Sequence, residues 1–236
     1  MHEQRLPGSS ALHFVFGHAA SRLFRRGLNR EVAATLGRPP GPLLRAVKAE
    51  AETLRVAHLS MAADQPSRGH LEFVSCLAAA HRVLSRETAL EGKALFDFLD
   101  RATRRGFDTR GTRISIRLLL FACRNHPGRL RSVLGWVMSL YGVTFRWTLE
   151  ETSPGGGFAL DIGRCFYFDF LSRLDLAELT PVLCRIDSLW FDAIDPARHG
   201  FRFDKGGYTT QGYGAARCRF PILADQGAEV ARDGEP

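Results

Sequence analysis

The sequence predicts an α+β fold: a helical N-terminal half packed on a small, mainly antiparallel C-terminal sheet that carries two helices. Two observations predict it. Up to residue 141 apolar side chains recur at helical spacing, and from Gly142 they alternate in short runs set off by glycine and proline. Strands and helices are also segregated along the chain rather than interleaved, which argues against a βαβ architecture.

The helices follow in order. Ser10 to Leu36 places Leu12, Val15, Phe16, Ala19, Leu23 and Leu28 near a 3.6-residue period. Pro39, Pro40 and Pro42 end that helix and open the next, with Leu43, Leu44, Val47, Leu54 and Leu59 on one face. Arg68 to Leu84 continues through Leu71, Val74, Leu77 and Ala78. Thr88 with Glu91 reads as a capping box for a helix bearing Leu90, Ala94, Leu95, Phe98 and Leu99. Two more helices are expected near Thr112–Asn125 and Leu130–Leu140, separated by Pro127-Gly128.

After Gly142 the period becomes two. Val143 to Leu149 reads as a strand, Ser153 to Gly157 as a turn, and Phe158 to Ile162 as the returning arm of a hairpin. Cys165 to Leu174 reads as a short helix and Leu176 to Ile194 as a longer one. Phe201 to Phe203 and Arg217 to Phe220 read as two further strands. A Gly-rich segment, Gly206 to Gly214, joins them. Residues 1–141 are thus expected as a helical region, 142–223 as an α+β region and 224–236 as a flexible tail, together one integrated domain.

Composition narrows the class. A chain of 236 residues with 45% hydrophobic and 24% charged residues is in the ordinary globular range. It is long enough to bury a core without disulfide or metal staples. No apolar run approaches the roughly 18–20 residues of a membrane span. Five widely spaced cysteines, Cys76, Cys123, Cys165, Cys184 and Cys218, include no CxxC pair and no finger-like spacing. Neither a disulfide framework nor a zinc ribbon is expected. The first residues do not read as a secretory signal, and the expectation is a cytoplasmic protein with reduced thiols.

Charge is uneven. Residues 1–150 carry 23 Lys+Arg against 12 Asp+Glu, and the remainder carries 9 against 13. The densest stretch runs from Arg101 to Arg131. No nucleic-acid-binding motif accompanies it and aromatics are not interleaved as stacking platforms, so nucleic acid is not expected. An acidic protein partner for this Arg-rich helical half is the functional reading that remains, against a plainly solvated set of helix faces.

Several chemical signatures are absent. The Gly-rich segment lacks the GxxxxGK[ST] pattern and does not run from strand into helix, so it reads as a loop rather than a phosphate cradle. GxSxG and HExxH do not occur. The second half does carry groups suited to nucleophilic attack with proton transfer. Cys184 and Asp187 are three apart in a predicted helix and share a face. Cys165 opens a predicted helix, where a thiol pKa ordinarily falls. His199 follows the long helix, and Cys218 lies in the last strand. By spacing alone these read first as core cysteines, a solvated aspartate and a turn histidine. No metal site and no cofactor is predicted from the spacing, and metal dependence is open.

These residues carry a resemblance. Arg164-Cys165, the run Leu179 to Asp187, the run Trp190 to Phe203, Thr209 to Gly214 and Cys218-Arg219-Phe220 together resemble the bacterial L-2-amino-thiazoline-4-carboxylic acid hydrolase-like family. The match is densest over residues 158–222. The resemblance implies hydrolytic opening of a cyclic amidine-like C=N, in the namesake case 2-amino-thiazoline-4-carboxylate going to N-carbamoyl-cysteine. It implies Cys184 as nucleophile, or alternatively Cys165, with Asp187 as base or orienting group and His199 as acid/base partner. It implies Arg164 or Arg202 as the clamp on a substrate carboxylate, and Trp190, Thr209, Thr210 and Cys218 around the substrate. Lys205-Gly206-Gly207-Tyr208 departs from the longer polar link common in the family, which bears on specificity. Two other functions compete: a non-catalytic small-molecule-binding or scaffold protein, and a tailoring enzyme acting on a related heterocycle. Oligomeric state is not legible.

Overall fold

The computed structural model describes residues 10–152 and 157–225. Its secondary structure is mostly helical, with one four-stranded antiparallel sheet, an α+β fold. The chain forms two compact units, Met1–Phe107 with Ser139–Thr144, and Asp108–Met138 with Phe145–Pro236.

The first unit is built from α1 (Ser10–Thr35), α2 (Pro40–Ala57), α3 (Gln65–Glu87) and α4 (Gly92–Phe107). Helix α3 is its central element, with Leu71, Val74, Leu77, Ala78, Val83 and Leu84 fully buried. Asp64 caps α3 by accepting from the Ser67 N–H at 2.9 Å. Its other carboxylate oxygen accepts from the Val143 N–H at 2.8 Å, which ties the 139–144 segment to the start of α3. Buried Glu31 on α1 is met by Arg101 at 2.7 Å and Arg105 at 2.6 Å, both on α4, so its charge is compensated twice.

Helices α1 and α4 cross at two glycines. A Cβ on Gly27 would sit 2.6 Å from the Gly106 nitrogen and closer still to the Ala102 carbonyl oxygen. These are backbone atoms of the facing helix and cannot swing aside. Gly27→Ala is therefore expected to cost more than about 2 kcal/mol of unfolding free energy, read as a lower urea midpoint at unchanged slope.

The second unit holds α5 (Arg110–Ala122), α6 (Pro127–Ser139), β1 (Arg146–Glu151), β2 (Phe158–Arg164), α7 (Phe166–Ser172), α8 (Thr180–Phe191), α9 (Pro196–His199), β3 (Phe201–Phe203) and β4 (Cys218–Ala224). The strand order is β1-β2-β4-β3. In the β2–β4 register Ile162 faces Cys218, Leu160 faces Phe220 and Phe158 faces Ile222. Alternation puts these six on one side of the sheet. Phe191 of α8 stacks on that side, 5.0 Å from Phe220 and 4.3 Å from Phe203. On the other side buried Asp161 is held by Arg219 at 2.6 Å and faces Arg217 at 3.6 Å.

Several local expectations differ from the fold, each for a physical reason. Thr88 closes α3 instead of opening α4: its N–H and hydroxyl both donate to the Leu84 carbonyl. With Thr88 so engaged the capping box does not form, and α4 starts at Gly92. Pro127 begins α6 rather than only separating two helices, as a proline fits the first turn. The strand expected from Val143 starts at Arg146, because Val143 is bound to Asp64 and the Thr144 hydroxyl meets the Ser67 hydroxyl at 2.9 Å. The helix expected over Leu176–Ile194 is a 3₁₀ turn at Ala177–Leu179 followed by α8, with Pro181 in its first turn. Leu59 lies in a short 3₁₀ turn and is exposed. The turn expected at Ser153–Gly157 lies, but for Gly157, outside the described residues, as does the tail beyond Asp225.

Candidate active site

Three cysteines from three elements meet beneath the Gly-rich loop. Cys165 is the residue before α7, Cys184 lies in the second turn of α8, and Cys218 opens β4. All three are buried free thiols. Each thiol is close enough to act electrostatically on another: Cys165 is influenced by Cys218 and Cys184, and Cys184 by Cys218.

The loop is pinned to β4 by a two-hydrogen-bond bridge between Thr209 and Arg219, at 3.2 and 2.8 Å. Thr209 itself is exposed, its hydroxyl donating to the Arg217 carbonyl. Extended geometry at Thr210 then turns the next side chain inward, and Thr210 is buried with its hydroxyl against the Cys184 sulfur. The Gln211 N–H donates to the Cys218 sulfur at 3.4 Å, and its side-chain amide donates to the Gly163 and Ala216 carbonyls. Gly212 lies directly on Cys184. A Cβ there would be 3.0 Å from Sγ and 3.1 Å from the Pro181 nitrogen, so a larger residue would have to push the thiol or the start of α8 aside.

Asp187 is one turn beyond Cys184 on α8, on the same face. It is partly accessible but closely surrounded, and among the described residues no hydrogen bond is made to its carboxyl. Desolvation pushes that carboxyl up to about 7. Burial pushes the Cys184 thiol up to about 12, with the Asp187 charge acting in the same direction; the Thr210 hydroxyl and the Gly212 N–H pull the other way and lose. Burial raises Cys218 as well.

Cys165 behaves opposite to the helix-terminus expectation. It stands at the N-cap position of α7, and the Phe168 and Tyr167 N–H groups do favour its thiolate, but burial outweighs them and its pKa is raised. A helix terminus lowers a thiol pKa and apolar burial raises it, and at Cys165 burial is the larger effect.

Tyr208 completes the cluster, and sequence reading did not single it out as a site residue. Its ring packs between Phe203 at 5.4 Å and Phe220 at 5.3 Å. Burial raises its phenol, and Asp187, Cys184, Tyr213 and Cys218 act on it in the same direction. The hydroxyl therefore stays protonated and is a neutral donor beside the acid and the thiol. The one signal available was an aromatic residue inside a Gly-rich loop.

The remaining candidates lie elsewhere or are already engaged. His199 is buried at the end of α9, where its Nδ1 accepts from the Asp195 N–H at 2.9 Å and its ring stacks on Phe201. Desolvation lowers its pKa, and the charges that act on it are Asp195 and Arg198, none of them from the cysteine cluster. Arg164 is half-exposed and donates to Asp169 at 2.6 Å. Arg202 is exposed on β3, on the opposite face from Phe203. Trp190, half-buried on α8, makes no ring stack among the described residues.

Among the described residues no group of three or more His, Cys, Asp or Glu side chains is arranged to hold a metal ion. No described helix is long and apolar enough to cross a membrane. A protein-family model described as L-2-amino-thiazoline-4-carboxylic acid hydrolase matches residues 72–222, which include Cys165, Cys184, Asp187, Tyr208, Thr210 and Cys218. Comparison with curated proteins and with solved structures gave no match.

Proposed function

The chain belongs to the L-2-amino-thiazoline-4-carboxylic acid hydrolase family, and from that membership we propose an enzyme that opens a cyclic amidine by hydrolysis, with Cys184 as nucleophile and Asp187 as its base. The observation that carries this reading is the desolvated Asp187 carboxyl, near 7, one helical turn from the Cys184 thiol. A thiol near 12 does not ionise unaided at neutral pH, and an aspartate of ordinary pKa is too weak to take its proton. Raising the carboxyl narrows that gap, and the substrate narrows it further. A protonated amidine beside the cluster stabilises both anions.

In the proposed sequence the ionised Asp187 pairs with the amidinium and accepts the thiol proton as Sγ bonds to the carbon between ring nitrogen and ring sulfur. The tetrahedral adduct collapses by breaking the ring C–S bond. The departing sulfur takes the proton back from Asp187 and becomes a free thiol. Cys184 is left carrying an isothiourea. Water then adds to the same carbon, Asp187 accepts its proton and returns it to Sγ as the C–S bond to the enzyme breaks. The net change is one water consumed, one C–S bond cleaved and one carbamoyl group formed.

Tyr208, protonated throughout, donates to the nitrogen that gains electron density in each adduct. Arg164, at the end of β2 beside Cys165, exchanges Asp169 for the substrate carboxylate, which suits a guanidinium fork. His199 is given no part in the reaction, because its Nδ1 is held by the Asp195 N–H and none of the charges that act on its ring comes from the cysteine cluster.

The test is turnover of 2-amino-thiazoline-4-carboxylate by reduced protein, with and without a chelator. The expected result is one thiol released per ring consumed, with no ammonia and no effect of the chelator. No thiol release from folded protein would overturn the proposed substrate. Loss of turnover with the chelator would overturn the cysteine route.

A further inference from the structure

The second unit has a groove of about 1060 Å³ that the cysteine cluster does not use. Helix α5 forms one wall and the end of α8 with α9 forms the other. The walls are joined by the Asn125 N–H, which donates to the His199 carbonyl at 2.7 Å. Gly200, at φ 72°, turns the chain there; a Cβ on it would meet the Asn125 side-chain oxygen at 2.5 Å. Helix α8 serves both sites from different sides. Cys184 and Asp187 lie on one face, while Ser188, Leu189 and Asp192 line the groove, their mean direction roughly a third of a turn round.

Three features of the groove point to one ligand chemistry. His199 lines it and is only 8% exposed. Because its Nδ1 accepts a hydrogen bond from the Asp195 N–H, the neutral ring carries its proton on Nε2, and that donor has no partner among the described residues. The charges do not cancel either. Arg113 is paired with Asp108, Arg198 with Asp195, and Asp192 with Lys205. Arg117 and Arg124 have no acidic partner among the described residues, Arg124 lying instead 4.6 Å over the Phe121 ring. Finally, the same wall exposes Leu118 at 65% and Phe121 at 59%, large apolar surfaces left open between cations.

We propose that this groove is a second ligand site, for an amphiphilic anion: an apolar chain or ring that ends in a carboxylate or a phosphate. The apolar body lies along Leu118 and Phe121, the charged end meets Arg117 and Arg124, and Nε2 of His199 donates one hydrogen bond to it. The volume is far larger than a single thiazoline ring requires.

The test uses the full-length chain with dodecanoate and dodecyl phosphate, both below their micelle concentrations, and dodecanol as the neutral control. Binding is read by calorimetry and by the NMR signal of the His199 ring, assigned with His199→Gln. At least one anion is expected to bind in the micromolar range, and which one does so tells carboxylate from phosphate. Arg117→Glu with Arg124→Glu is expected to weaken it more than tenfold without changing the melting temperature, since both side chains are exposed. Cys184→Ser is expected to bind as the wild type does, which separates this site from the cysteine cluster. The idea is overturned if neither anion binds, if dodecanol binds equally well, or if the charge-reversed variant is unaffected.

Discussion

Cys184→Ser is expected to lower ring-opening turnover by about 10³-fold or more, while Cys165→Ser and Cys218→Ser keep most of it. Serine fits the space, but its hydroxyl is a far poorer nucleophile at this pH. The three thiols are comparably buried, so each substitution carries a similar structural cost, about 1–2 kcal/mol for a polar group placed in a buried site. Stability is thus a common background, and the difference in turnover isolates the reacting sulfur. Intact mass measured during turnover gives a second reading: a substrate-derived adduct on the wild type, and none on Cys184→Ser. The assignment fails if Cys165→Ser is the dead variant and Cys184→Ser is active.

Asp187→Asn is expected to make the protein more stable and less active at once. The native carboxyl sits near 7 and the unfolded one near 3.8. Between those values the native state holds a proton that the unfolded state has released, so wild-type stability falls as pH rises from about 4 through about 7 and is level above. Asparagine removes that dependence. Each pKa unit corresponds to about 1.4 kcal/mol, and a partly accessible carboxyl keeps some of its water, so the expected gain at pH 8 is about 1–3 kcal/mol. The gain should shrink toward zero near pH 4. Turnover should fall by about 10²-fold or more, since the base is gone. The wild-type rate should rise with pH through about 7 as the carboxyl ionises. Equal melting temperatures for the two proteins at both pH 5 and pH 8 would show that Asp187 is not desolvated, and the base assignment would go with it.

Both predictions depend on a juxtaposition that was only partly legible in the sequence. The Cys184–Asp187 pair was legible, because two residues three apart on a helix share a face whatever the rest of the chain does. The convergence of Cys165 and Cys218 on that face followed only from the register of β2 with β4 and the path of the Gly-rich loop. Tyr208 was illegible for the same reason, since nothing local distinguishes a tyrosine in a loop from one folded back between Phe203 and Phe220. His199 shows the reverse. It stands in the chain beside the motif residues, yet Asp195, Phe201 and the left-handed turn at Gly200 hold it in a different groove.

Among the helices, boundaries moved where a distant side chain intervened. Asp64 is close to eighty residues from Val143, and its hold on that N–H is why the first strand begins three residues later than alternation suggests. Thr88 was available to either neighbouring helix, and only the competition between them settled that it serves α3.

The class of fold, the order of its elements and the family were legible in the residues alone, because periodicity and motif spacing are local properties that a chain carries wherever it goes. The protonation states were settled by packing. The pKa of Cys165, Cys184 or Asp187 is set by how much water the assembled elements leave around each group, and that count does not exist until the sheet, the helices and the loop have closed on one another.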